Sequence, residues 1–128
     1  MATKTKKLIP TVVCVKKAEL QKRGYNDFED WNSKSNTLYI GRNMSYYVPG
    51  ATQSIWRNKF TVKKHGLREC LIKYGDYLLK NKELLSRLSE LYGKELGCWC
   101  VGDKSKKIPY CHGHILQTLV KFRLAGKV

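Results

Sequence analysis

The chain contains no apolar run approaching the roughly 20 residues that a membrane-spanning helix needs. Its first residues, Met1-Ala2-Thr3-Lys4-Thr5-Lys6-Lys7, are basic and lack the long apolar segment of a secretory signal. These two absences argue against a membrane or secreted protein and lead to the expectation of an intracellular chain, in a host cytoplasm, a nucleus or a virion. Acidic residues are also scarce, 10 Asp and Glu against 25 Lys and Arg, and several of the acids gather at Asp27, Glu29 and Asp30. Cysteine is present in an odd number, five, which argues against a closed disulfide framework. Reduced cysteines are then small core residues, metal ligands or nucleophiles. There is no internal repeat and no sign of a second domain, so the 128 residues read as a basic tail over 1–10 and one domain over 11–128.

What the chain does have is positive charge, +15 in total. Basic clusters recur at Lys4/Lys6/Lys7, Lys16/Lys17, Lys22/Arg23, Arg57/Lys59/Lys63/Lys64, Lys104/Lys106/Lys107 and Lys121/Arg123/Lys127. Lysine-rich surfaces are common as plain solvated faces. An imbalance this large in so short a chain favours contact with nucleic acid or another polyanion. Phosphate contacts alone would supply affinity without sequence specificity.

Hydrophobic patterning sketches the fold. Thr11-Val12-Val13-Cys14-Val15 is a β-branched run and predicts a buried strand, and Thr37-Leu38-Tyr39-Ile40 predicts a second one closed by Gly41. Residues 18–36 are polar and read as irregular, and 43–64 read as a long loop of the kind that often carries function. Leu67, Cys70, Leu71, Tyr74 and Leu78 form one face of a helix from Gly66 to Lys80. Asn81 is placed to cap a second helix with Leu84, Leu85, Leu88 and Leu91 inward, ended by Gly93. A third strand is expected over Glu95–Val101 and a last helix from about Cys111. This order predicts a compact α/β domain with a mostly parallel sheet flanked by helices, since parallel neighbours require crossover helices.

The densest chemistry lies between Gly97 and His114. Gly97-Cys98-Trp99-Cys100 is followed by a basic loop and then Cys111-His112-Gly113-His114. On a strand, Cys98 and Cys100 share a face and Trp99 takes the other. If the last helix packs beside that strand, Cys98, Cys100, Cys111 and one of His112 or His114, with His112 favoured, converge as three thiolates and an imidazole, a set suited to tetrahedral zinc. Structural zinc sites usually separate paired cysteines by two or more residues. The plain alternative is a well-packed strand end, with His112 capping the helix. A further alternative is a reactive Cys111, or a phosphate, at the helix N-terminus, in the crevice where parallel strands end.

The motifs together resemble a known family. Thr37-Leu38-Tyr39-Ile40-Gly41-Arg42, Trp56-Arg57-Asn58-Lys59-Phe60, Arg68-Glu69-Cys70 with Tyr74, Leu91-Tyr92-Gly93-Lys94-Glu95-Leu96-Gly97-Cys98-Trp99-Cys100 and Cys111-His112-Gly113 occur in an order similar to the domain of unknown function 4326 family. The resemblance covers roughly residues 37–120. That family is found in phages, large DNA viruses, bacteria and some eukaryotes, and the resemblance implies no established activity. Two departures stand out. The family's Trp-Gly-Asn-Pro-Phe is Trp56-Arg57-Asn58-Lys59-Phe60 here, with two added charges, and His114 stands where the resemblance implies an Asp.

Arg42, Arg57, Asn58, Lys59, Lys104, Lys106 and Lys107 are the candidate ligand contacts, with Trp56 as an aromatic partner. Bases stack on aromatic platforms while cations hold the backbone. Aromatics are also common core fillers, a reading that suits Trp56 and Phe60 better than Tyr46 and Tyr47. The expected function is binding of nucleic acid or a nucleotide-like ligand, with zinc as the expected cofactor, in a viral or phage-like context. The alternatives are an enzyme acting on a nucleotide-derived substrate through Cys111 or His112, and a basic structural protein of a virion or large assembly.

Overall fold

A computed structural model describes residues 8–60, 62–99 and 111–127. Strands β1 (Thr11–Cys14), β2 (Thr37–Tyr39) and β3 (Glu95–Cys98) form one sheet in the order β1-β3-β2. Both pairings are parallel, with Val12 and Leu38 each opposite Leu96. The ladder runs slightly past the strand ends, because Val15 N–H donates to Cys98 O at 3.1 Å and Ile40 N–H to Gly97 O at 3.0 Å. The α/β reading of the sequence is therefore correct, and the sheet is wholly parallel among the described strands.

The helices divide between the two faces of the sheet. Alternation along the strands sends Val12, Leu38, Ile40, Leu96 and Cys98 to one face. There they meet α4 (Leu67–Lys80), α5 (Lys82–Ser86), the 3₁₀ turn Leu88–Leu91 and α6 (His112–Leu124). Val13, Val15 and Tyr39 face the other way, onto Leu20 of α1 (Lys17–Lys22) and Phe28 and Trp31 of α2 (Phe28–Asn32). The short α3 (Val62–His65) precedes α4. The result is three layers with the sheet in the middle, which gives each strand face its own apolar cover.

Local chemistry accounts for most element ends. Cys70, Tyr74 and Leu78 recur every fourth residue and are all buried, the stripe expected for α4. Asn81 caps α5 by accepting Leu84 N–H on its Oδ1 at 3.1 Å. The expected second helix does not run unbroken to Gly93. It stops at Ser86 and resumes as a 3₁₀ turn, which still buries Leu84, Leu88 and Leu91. The stretch 18–36, expected to be irregular, holds two helices. The second is capped by Asp27, whose Oδ1 accepts Asp30 N–H at 2.9 Å, and it buries Phe28 and Trp31. Leu8 and Pro10, read as the end of a flexible tail, are tied down. Leu8 O accepts Gly93 N–H at 2.9 Å, Pro10 O accepts Gln117 Nε2 at 2.9 Å, and Pro10 is buried. Residues 1–7 lie outside the described residues.

Two motif glycines are required by close approach. A Cβ on Gly97 would lie 2.5 Å from Val15 Cγ1 and would also overlap the Trp31 ring. A Cβ on Gly113 would lie 2.8 Å from Val12 Cγ1 and 3.0 Å from Ile40 Cδ1. Gly97 lets α2 press its indole onto the central strand, and Gly113 lets the start of α6 sit down on the sheet.

Candidate functional site

The three motifs meet at the carboxyl ends of β2 and β3, where α6 begins. Cys98 and Cys111 lie there with their Sγ atoms 3.1 Å apart, each 1% exposed. Cys111 is the N-cap of α6, and its sulfur accepts Gly113 N–H at 3.3 Å. Next in the chain, His112 places Nε2 2.8 Å from Ile40 O. A carbonyl only accepts, so Nε2 carries a proton and donates it to Ile40 O. The His112 ring packs edge-on against Tyr74, centroids 5.3 Å apart. Tyr74 in turn donates its hydroxyl to Trp56 O at 2.5 Å. Burial holds the Tyr74 hydroxyl well above its ordinary pKa, helped by nearby Tyr77 and Cys111, so it remains a donor.

On the opposite sheet face, Trp99 Nε1 donates to Tyr39 Oη at 2.7 Å, and that hydroxyl donates to Arg42 O at 2.6 Å. Phe28 closes the cluster, stacked on Trp99 and edge-on to Tyr39. Burial pushes the Tyr39 hydroxyl above its usual range, opposed by the Trp99 N–H and the Arg42 charge. The Tyr39-Ile40-Gly41-Arg42, Gly97-Cys98-Trp99 and Cys111-His112-Gly113 motifs are thus bonded to one another, which is a physical reason for their occurring together.

Of the expected metal set the structure brings Cys98 and Cys111 into contact, His112 follows Cys111 but turns its Nε2 to Ile40 O, and Cys100 lies outside the described residues. Among the described residues no group of three or more His, Cys, Asp or Glu is arranged to hold a metal ion. Two thiolates on one tetrahedral zinc, with Zn–S near 2.3 Å, stand roughly 3.8 Å apart. The observed separation of 3.1 Å is a direct sulfur–sulfur contact. His112 could reach a metal only through Nδ1, because Nε2 is committed to Ile40 O.

Sequence reasoning missed the capping role of His114. Its Nδ1 accepts Cys111 N–H at 3.0 Å, so it completes a capping box at the third position of α6. An Asp there would accept the same N–H, so the departure at 114 preserves the cap and gives up a negative charge. The cap, expected of His112, belongs to Cys111 and His114. The available signal was the three-residue spacing from Cys111 to His114.

The remaining candidates separate into core and surface. Trp56 is 1% exposed and sits in the core of the helical face. Asn58 is tied into the fold at both ends, accepting Phe60 N–H at 3.0 Å and donating Nδ2 to Cys70 O at 3.4 Å. Arg42 is exposed. Arg57 is half-buried and donates to Ser54 O at 3.1 Å. Lys59 is exposed with its Nζ 4.1 Å from the Tyr77 ring centroid. Lys104, Lys106 and Lys107 lie outside the described residues. Tyr46 and Tyr47 are exposed at 91% and 75%, and their rings meet edge-on. A cleft of about 320 Å³ runs beside the free edge of β2, lined by Leu38, Tyr39, Thr52, Ser54, Trp56 and Arg87 among others. No helix among the described residues is long and apolar enough to cross a membrane.

Fold and site define a small three-layer α/β domain whose motif residues gather at the strand ends. Residues 25–122 match the model of a family described as a domain of unknown function, DUF4326, and the chain belongs to that family. It is similar to "Uncharacterized protein R718" of Acanthamoeba polyphaga mimivirus, 37% identical over 87 residues, a match covering 66% of each chain. The chain thus spans about two thirds of the length of that relative. No solved structure matches.

Proposed function

We propose that this protein binds nucleic acid or a nucleotide-like polyanion, in a viral or phage-like setting. The observation that supports this best is the strip from Arg57 to Arg68. It carries Arg57, Lys59, Lys63, Lys64 and Arg68 and no carboxylate. Among the described residues, none of the ion pairs uses Arg57, Lys59, Lys63 or Arg68. The carboxylates of these pairs hold Lys22, Arg23, Lys34, Lys80 and Arg87 instead, which leaves the charge of Arg57, Lys59, Lys63 and Arg68 for an external anion. It connects to the motif cluster through Tyr74, which holds Trp56 O and meets the ring of His112. The viral relative supports the setting.

Titration of a labelled oligonucleotide at increasing salt tests this reading. Binding should weaken steeply as salt rises, since each neutralised phosphate releases counterion. Reversing charge at Arg57 and Lys59, or at Lys104, Lys106 and Lys107, should weaken it further. Absence of binding near 50 mM salt, roughly the low end for such tests, or indifference to ionic strength would defeat it. A second reading, an enzyme working through the strand-end crevice, draws on Cys111, which combines a helix N-cap position with an adjacent thiol. One cysteine that alkylates far faster than the rest at neutral pH, and is protected by a nucleotide, would make this reading primary.

A further inference from the structure

We infer that Cys98 and Cys111 are a redox pair that closes to a disulfide under a hydroperoxide. Their sulfurs are 3.1 Å apart across the junction of β3 and α6, already in contact and about 1 Å from the roughly 2.05 Å of a disulfide bond. Both ends are set by structure on either side. Cys98 is the last residue of the central strand, and its carbonyl accepts Val15 N–H. Cys111 is the N-cap of a 13-residue helix, with Gly113 N–H aimed at its sulfur. Closing the bond needs only a small shift of one side chain towards the other. Cys14 stands in register with Cys98 on the neighbouring strand β1, so the choice of partner for Cys98 is a genuine one.

The chemistry balances with a peroxide as the oxidant. The Cys111 sulfur attacks one peroxide oxygen, the O–O bond breaks, and the second oxygen leaves as water with the thiol proton. The Cys98 sulfur then attacks the resulting sulfenic sulfur, the S–S bond forms, the S–O bond breaks, and the hydroxyl leaves as a second water with the Cys98 proton. Two electrons pass from the sulfurs to the peroxide. Burial of both sulfurs at 1% exposure restricts the oxidant to a molecule the size of hydrogen peroxide. The bridge would enclose residues 99–110, the segment that carries Lys104, Lys106 and Lys107, in a covalent loop.

The test uses the full chain, fully reduced and checked for zinc by elemental analysis. It is treated with hydrogen peroxide under native conditions, denatured, alkylated and mapped by mass spectrometry. The expected product is lighter than the reduced chain by about 2 Da before alkylation, with one linked peptide joining Cys98 to Cys111 that dithiothreitol releases. The Cys100→Ser variant should give the same link, and oxidation should raise the thermal midpoint by roughly 10 °C. Four outcomes would overturn the inference. These are full alkylation of Cys98 and Cys111 after peroxide, a dominant link to Cys14, Cys70 or Cys100, loss of the link in Cys100→Ser, and stoichiometric zinc held by the two thiols before treatment.

Discussion

The strand-end cluster and the basic strip sit on either side of Tyr74 and differ in nearly every physical respect. In the cluster, Cys98, Cys111, His112 and Tyr39 are buried, and each polar group has a defined partner. Along the strip, Lys59, Lys63 and Arg68 are exposed and held by few bonds. Motif residues of a family invite a functional reading, yet here most of their contacts hold the sheet to its helices. The contrast teaches that chemistry-bearing residue types and available chemical groups are different things. Among the described residues, Arg42, Lys59, Lys63 and Arg68 are exposed cations of the kind the proposed binding would use, whereas the thiol pair of the cluster is buried.

Replacing Trp56 with Ala tests the contrast most severely. The ring is buried among Tyr74, Leu78 and their neighbours, so the change should remove about 3–5 kcal/mol of stability. Urea unfolding measures this, and an unchanged midpoint with weakened ligand affinity would move Trp56 from core to binding surface. Gly97→Ala comes next. The added methyl meets Val15 and the Trp31 ring, and overpacking of this kind destabilises by about 1–3 kcal/mol. A neutral result in the same unfolding assay would mean that α2 is not pressed onto β3 as described.

The strip should behave in the opposite way. The double variant Arg57→Glu/Lys59→Glu should cost only the Arg57 bond to Ser54 O and the Lys59 contact with the Tyr77 ring, about 1–2 kcal/mol in total, while reducing oligonucleotide affinity. The slope of log affinity against log salt should fall by roughly 1 for each phosphate that the variant no longer neutralises. Unfolding and binding curves measured on the same sample separate the two effects, and a failure to fold with affinity intact would reverse the comparison. The smallest effect is expected at the cap. His114→Asp retains the acceptor for Cys111 N–H and adds a negative charge at the start of α6, which should stabilise by about 0.3–1 kcal/mol. His114→Ala removes the acceptor and should lower the thermal midpoint instead.

Much of this was legible in the linear sequence because it rests on local rules. The β-branched run at Thr11–Val15, the four-residue stripe through Cys70, Tyr74 and Leu78, and the Asn81 cap are all visible within one or two turns of chain. The short α2 was missed although Asp27 and Asp30 marked it, because five residues of helix carry too little periodic signal among polar neighbours. The break at Ser86 was missed because a 3₁₀ turn buries Leu88 and Leu91 nearly as well as continued α-helix would.

By itself the sequence determined the class of the fold, the excess of positive charge and the gathering of cysteine and histidine near the last strand and helix. Only the tertiary structure decided which of those groups are used up inside. Whether His112 offers Nε2 depends on Ile40, 72 positions away, and whether Trp99 can stack on a ligand depends on Tyr39, 60 positions away. Those partners arrive through the parallel pairing of β2 with β3 and the packing of α6 on the sheet. Such contacts are set by the burial of whole faces, and no local pattern around a cysteine or histidine encodes them.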